Sequence, residues 1–380
     1  MDLFGDSPSD DDNEVPDLPE AYDAPMAAPL PVEDPASLLP RQTAACLGHA
    51  AVERILLDYV ASDRVPHGLI FAGIEGIGKA TMAYRFARFL LHRGTGDTSQ
   101  DNLFGDAPAA PETLDIPKDS ETFRRVAQNA HPDLLTIERP YDESKDRQKG
   151  AVDIEEVRKI APFLRMTAAG GGWRVVIVDD ADTMNRAAQN ALLKILEEPP
   201  KHTVLILIAH RPGALIPTIR SRARALHFQP LAEAQVLDLL RKHGREIQGT
   251  SGHTLVARTA GSFGRALRES GPEQMETMDS VLNLLQSDWR WTDAHVMAET
   301  VGAYGQDRAW QTFTDCVLWF HRDKARQKAR GGMPSAGSLA QTLKICDKLE
   351  AHFARTDIGN LDRRQGVLGA FALIEEEKAA

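Results

Sequence analysis

The chain has 380 residues, of which 42% are hydrophobic and 26% charged, with a formal net charge of −11. That length and apolar content call for two or three packed domains and exclude a chain that is disordered or fibrous throughout. No apolar run approaches the roughly 18 residues of a spanning helix, and no basic stretch precedes an apolar one. Neither a membrane span nor an export leader is therefore expected.

The charge is unevenly placed. Residues 1–40 hold eleven acidic residues, from Asp2 to Asp34, and no Lys or Arg, which accounts for the whole excess. The remainder is balanced, so a local basic surface for nucleic acid is not excluded. Eight prolines share the same stretch, and that composition predicts a disordered tail over 1–40. Cys46, Cys316 and Cys346 are too dispersed for a metal-binding pattern or a disulfide framework, which points to a reducing, cytoplasmic setting.

The pattern then alternates. Gly68–Ala72 reads as a strand, followed by a glycine-rich turn at 73–79 and a helix over 80–92. Residues 93–130 read as a linker-like insert with a short helix in 120–129. Strands follow at 133–138, 174–179 and 203–209, with a weaker one at 225–228 and helices over 153–166 and 185–198. Near-continuous β-branched and aliphatic runs such as Arg174–Asp179 and Thr203–Ala209 suit strands buried on both faces. Strands alternating with helices predict a doubly wound parallel α/β domain over 41–229. Beyond Pro230 the chain reads as helices alone: a small unit at 230–271, then four or five amphipathic helices in 272–380. Trp289, Trp291, Trp310 and Trp319 are the expected packing anchors there.

The turn Gly73-Ile74-Glu75-Gly76-Ile77-Gly78-Lys79 is a phosphate-binding loop in the right context, with an apolar strand before it and a helix after. In such loops backbone N–H groups from Gly73, Gly76 and Gly78 cradle phosphates, and the lysine reaches the outer phosphates. The hydroxyl that would ligate Mg²⁺ is missing, because Ala80 stands in its place. Thr81 follows, but one residue is about 100° around a helix. The run Val175-Val176-Ile177-Val178 ends in Asp179-Asp180, where Asp179 would hold Mg²⁺ through water and Asp180 would stand as the base. A Glu is usual at that second position, and Asp is shorter by one methylene. Both departures predict an impaired metal site and no turnover in this pocket.

Asn185–Pro200 reads Asn-Arg-Ala-Ala-Gln-Asn-Ala-Leu-Leu-Lys-Ile-Leu-Glu-Glu-Pro-Pro, with Ala188, Leu192, Ile195 and Leu196 on one helical face. This run resembles the clamp-loader branch of the AAA+ ATPases, as do Ile219-Arg220-Ser221-Arg222-Ala223 and Asp153–Arg158. Within the branch the chain is most similar to the delta-prime subunits of bacterial DNA polymerase III. The resemblance covers roughly 41–380. It implies an AAA+ module, a helical lid and an all-α collar for oligomerisation. The implied partners are other clamp-loader subunits in a hetero-oligomeric ring, a sliding clamp, and primed DNA through the assembled complex. The implied role is in DNA replication, as part of a DNA-directed DNA polymerase (nucleotidyltransferase) holoenzyme, with little or no ATPase activity alone. ATP or ADP is the implied ligand, with weak Mg²⁺ dependence. The resemblance also assigns Arg222 as an arginine finger reaching a neighbour's ATP, with Arg220 as second choice. It places His210 at the γ-phosphate sensor position and Arg265 in the lid, where Gly264 shifts the register. No Cys lies between 47 and 315, so the zinc module of many relatives is not expected.

Two further expectations stand beside this one. Leu3-Phe4-Gly5-Asp6 recurs as Leu103-Phe104-Gly105-Asp106, and either copy would suit a weak sliding-clamp contact. The rival reading is an autonomous AAA+ ATPase remodeller, in which Thr81 or water replaces the lost ligand.

Overall fold

The computed structural model describes residues 39–94, 111–142, 147–169, 172–247, 249–330 and 336–379. The acidic tail up to residue 38, residues 95–110 of the insert and both Leu-Phe-Gly-Asp segments lie outside the described residues.

Five parallel strands form the central sheet: β1 (Gly68–Ala72), β2 (Leu134–Ile137), β5 (Arg174–Val178), β6 (Thr203–Ala209) and β7 (Arg224–His227). Their order is β2-β5-β6-β1-β7. A two-stranded antiparallel hairpin, β3 (Tyr141–Asp142) and β4 (Arg147–Gln148), was not legible in the sequence. Strand β1 lies between β6 and β7, so the loop after it opens at a crevice between neighbouring strands, where α/β sheets bind ligands. All seven residues of β6 are buried, as the unbroken aliphatic run requires.

The alternation of strand side chains splits the core into two layers. Leu69 and Phe71 face one side with Val175, Ile177, Val204 and Ile206. Helices α1 (Ala50–Ala61) and α2 (Lys79–Gly94) cover that side through Val52, Leu56, Met82, Phe86 and Leu90. Ile70 and Ala72 face the other with Val176, Val178, Leu205 and Leu207. There α4 (Ile154–Arg158), α5 (Ile160–Arg165), α6 (Arg186–Glu197) and α7 (Pro217–Arg222) contribute Val157, Ile160, Leu192 and Ile219. The helix expected over 153–166 is broken in two. Pro162 has no N–H and clashes with the carbonyl four residues back, which ends α4 at Arg158.

The second half of the insert differs from its linker-like composition. Leu114 and Val126 enter the α1/α2 layer, and α3 (Glu121–Ala127) is capped by Ser120, whose hydroxyl accepts from the Phe123 N–H at 3.2 Å. Arg85 of α2 ties this segment down through Asp115 at 2.9 Å and Glu53 at 2.7 Å. Burial of a few apolar side chains and the two ion pairs of Arg85 outweigh the local polarity that suggested a loose segment.

After β7 the described chain is helical: α8 (Glu233–Lys242), α9 (Gly249–Arg258), α10 (Phe263–Glu269), α11 (Pro272–Gln286), α12 (Trp291–Val301), α13 (Asp307–Arg330), α14 (Ala336–Ile358) and α15 (Arg363–Ala379). Within the small unit at 230–271, α9 and α10 are separated where Ala260 and Gly261 take positive φ values of 53° and 74°. Buried side chains from Leu231 to Ile374 make one continuous cluster, so α8–α10 share a core with the helices that follow. Trp310 is an anchor of that core, 2% exposed, and its indole N–H donates to Asp357 at 2.8 Å. Trp291 is not: it is 40% exposed and donates to Glu375 at the surface. Among the described residues no helix is long and apolar enough to cross a membrane.

Because Phe313 and Leu240 belong to one cluster, Phe313→Ala is expected to cost about 3–5 kcal/mol. It should also speed amide exchange in α8 together with α13. Exchange measured on both helices checks this, and an unchanged α8 would count against a shared core.

Candidate functional site

The phosphate loop is built from behind. His49, 3% exposed, donates from Nε2 to the Ile77 carbonyl at 2.6 Å and packs edge-on to Phe228. The Cys46 thiol faces the Gly78 carbonyl at 3.5 Å. Arg88 donates to the carbonyls of Arg41 and Thr43 at 2.8 and 2.6 Å, which pins the segment that carries Cys46 and His49 against α2. Gly76 and Gly78 have φ of 75° and 105°, values that only glycine adopts cheaply. Gly73 continues β1, its N–H donating to the Ala209 carbonyl.

Lys79 heads α2 and is 3% exposed. Its ammonium donates to the carbonyls of Gly73 at 2.7 Å and Ile74 at 2.6 Å, and to His210 Nδ1 at 2.8 Å. Three acceptors thus match its three protons. Burial lowers its pKa to about 8, against the pull of Asp179, Asp182, Glu75 and Asp180. At pH 7 it therefore still carries those three protons in most molecules.

His210 continues the network. With Nδ1 accepting from Lys79, its Nε2–H faces Asp180 Oδ1 at 2.7 Å, so the two partners fix the tautomer. Its own N–H and that of Arg211 donate to the buried Asp182 carboxylate at 2.9 and 3.1 Å. Asp180 also meets Arg139 Nε at 2.6 Å. The hydrogen bond from His210, against the cost of burial and with the Arg139 guanidinium adding to it, holds Asp180 below the usual carboxylate range. Asp180 sits at a left-handed φ of 49°, a conformation that Asp tolerates better than most residues. Asp179 behaves oppositely: burial first, and then the Asp180 charge, push its pKa up to about 6.

The structure thus brings Lys79, Asp179, Asp180 and His210 together. Thr81 is half-buried on α2, one residue past Ala80. Ala80 itself packs partly buried against the α1/α2 layer. Asp182 and Arg139 were missed by sequence reasoning. Asp182 was visible only as a third acid after Asp179-Asp180, and Arg139 carried no signal.

The lid meets the loop through main chain. The Ser262 hydroxyl donates to the Glu75 carbonyl at 2.7 Å, and the Gly264 N–H donates to the Gly76 carbonyl at 2.8 Å. A Cβ on Gly264 would lie 2.9 Å from the Gly76 Cα, so the glycine that shifts the lid register is also what lets the two backbones touch. Arg268 pairs with Glu75 at 2.9 Å. Arg265 points elsewhere, to Glu269 at 3.6 Å. A search for a lid arginine by register alone therefore finds Arg265 and misses Arg268, one turn on.

Arg222 is the last residue of α7 and lies apart from this pocket in its contacts. It pairs with Glu197 Oε1 at 2.9 Å and donates from Nη1 to the Thr218 carbonyl at 3.2 Å. Its side chain is 38% exposed. Arg220 is exposed on the same helix.

The residues fit a phosphate group better than a metal. The loop conformation and a buried ammonium suit phosphate oxygens. Mg²⁺ lacks its hydroxyl at Ala80, and Asp180 is already engaged by Arg139 and His210.

Residues 48–232 match a family model described as DNA polymerase III, delta subunit. The chain is 35% identical over 156 residues, 41% of either chain, to the DNA polymerase III subunit delta' of Pseudomonas aeruginosa. It is 30% identical over 218 residues, 57% of either chain, to the DNA polymerase III subunit delta' of Escherichia coli strain K12. These matches span about half the length of the curated relatives. Among solved structures, a DNA polymerase III gamma subunit-related protein from Thermotoga maritima is similar at 16% identity and a TM-score of 0.37, covering 85% of this chain and 99% of that one. The likeness is loose, and the fold rests on the strand order itself.

The raised pKa of Asp179 has a signed consequence. Its protonated form favours folding below the unfolded value of 3.8, and that contribution is lost as pH rises through about 6. Asp179→Asn should therefore gain stability relative to the parent between about pH 4 and 6, by up to about 3 kcal/mol. Urea melts at pH 4.5 and 7.5 check the sign. Gly264→Ala sets two effects against each other. Helix propensity favours Ala by up to about 1 kcal/mol, while the approach to Gly76 forbids the methyl. Net destabilisation in a denaturant melt is the expected outcome.

Proposed function

We propose, from the match of residues 48–232 to the family model described as DNA polymerase III, delta subunit, that this chain is a delta'-type clamp-loader subunit. It completes a hetero-oligomeric ring that places a sliding clamp on primed DNA. Its own pocket holds a nucleotide without turning it over, and Arg222 is donated to the ATP site of a neighbour. The helices after residue 272 form the collar through which the ring assembles. Its place of work is the cytoplasm.

The engagement of Asp180 carries this reading. A general base must meet the attacking water, and here the carboxylate is held by Arg139 at 2.6 Å and His210 at 2.7 Å. The ammonium of Lys79 is bound to the loop's own carbonyls. Ala80 supplies no metal ligand. Chemistry in this pocket would need several groups released at once. Arg222, by contrast, stands half-exposed at a helix end, where it can meet the charge that develops on a transferring phosphoryl group. The autonomous remodeller requires a working base and finds no support in this geometry.

Purified alone with ATP and Mg²⁺, the chain should show no hydrolysis above background. Assembled with the other loader subunits, Arg222→Ala should slow DNA-stimulated hydrolysis by about tenfold or more while co-elution of the complex is unchanged. Activity of the chain alone, or a full-rate variant complex, would overturn the assignment.

A further inference from the structure

We propose that Glu197 is the positioning residue for Arg222: it holds the guanidinium in the orientation that meets a neighbour's phosphate. The inference rests on the reading of Arg222 as a finger. It adds a role for a carboxylate that this reading leaves without one.

The contact joins two elements that are otherwise held apart from the pocket's own chemistry. Glu197 is the last residue of α6, and Arg222 the last of α7. The two helices pack through the layer that holds Leu192, Leu196 and Ile219. Their ends are therefore fixed relative to the sheet. A side chain with four rotatable bonds at the exposed end of a six-residue helix would otherwise sample many directions, and ordering it costs binding energy. Three contacts reduce that freedom: Nη2 to Glu197 at 2.9 Å, and Nη1 to the Thr218 carbonyl at 3.2 Å and to the Ser221 hydroxyl at 3.5 Å.

The geometry presents the group and does not hide it. A guanidinium has five N–H donors in a planar fork, and these contacts use three. The pair is exposed, at 38% for Arg222 and 49% for Glu197. An ion pair in that setting is weak, so a phosphoryl group can share the guanidinium without first breaking a strong bond. Glu198, next along, carries the same charge but lies past the helix end, with φ at −127°. Register on α6 thus selects Glu197.

The test is steady-state ATP hydrolysis by the complete loader carrying variants of this subunit. Glu197→Ala should lower kcat by about 2- to 10-fold, the scale of an exposed ion pair plus side-chain ordering, with KM unchanged. Glu197→Asp should recover part of the loss, and Glu198→Ala should leave kcat alone. In an Arg222→Ala background, Glu197→Ala should have no further effect. Full kcat for Glu197→Ala in a loader that Arg222→Ala does slow would overturn the inference while sparing the finger. So would an equal loss in both backgrounds, which would mark Glu197 as a general support of α6. Full rate for Arg222→Ala itself would remove the finger, and this inference with it.

Discussion

The head of the sheet is organised around one buried ammonium. Lys79 lies at the N-terminus of α2, where the helix dipole is unfavourable to a cation, and burial adds to that cost. It is kept charged at neutral pH by three acceptors and the nearby carboxylates. Two of those acceptors belong to the loop it serves, so the lysine curls the loop around itself. The third, His210, brings the end of β6 into the same network. From there the constraint runs outward to Asp180, Arg139 and the residues that precede the β3–β4 hairpin. Asp182 fixes the backbone on which His210 rides. A nucleotide phosphate would have to compete for bonds that the protein already makes with itself.

Much of this fold was legible because parallel strands buried on both faces leave few alternatives: Arg174–Val178 and Thr203–Ala209 could scarcely be anything else. The loop at 73–79 was legible because glycine spacing follows from backbone conformation. What escaped depended on contacts between distant segments. Pro162 breaks a helix whose periodicity looked continuous. Leu114, Phe123 and Val126 turn part of a polar insert into packed structure. Trp291 lies outside the core although its neighbours Trp289 and Trp310 pack into or against it.

At the site, residue types were easier to read than residue partners. Ala80 and Asp180 announced a weakened pocket, because chemistry needs an oxygen and a reach that they lack. The structure supplies the complementary fact, that the remaining groups are bound to one another. Nothing in the sequence around Arg139 ties it to Asp180, 41 positions away. Nor does periodicity distinguish Arg265 from Arg268, since both lie on α10 and only the placement of Glu75 separates them. The pairing of Glu197 with Arg222 was hidden for the same reason, although both residues sat in motifs already singled out.

The meeting of Gly76 and Gly264 carries a last consequence. Where side chains form an interface, drift can be absorbed by repacking, and a lost volume on one side is refilled from the other. Here two backbones touch, with the Gly264 N–H bonded to the Gly76 carbonyl and no room for a methyl group. Such a contact has no spare parts. The exposed Glu75–Arg268 pair can be exchanged at modest cost, but neither glycine can be replaced without separating lid and loop. In any family tree containing this arrangement, the two positions should behave as a single inherited character, kept together or lost together.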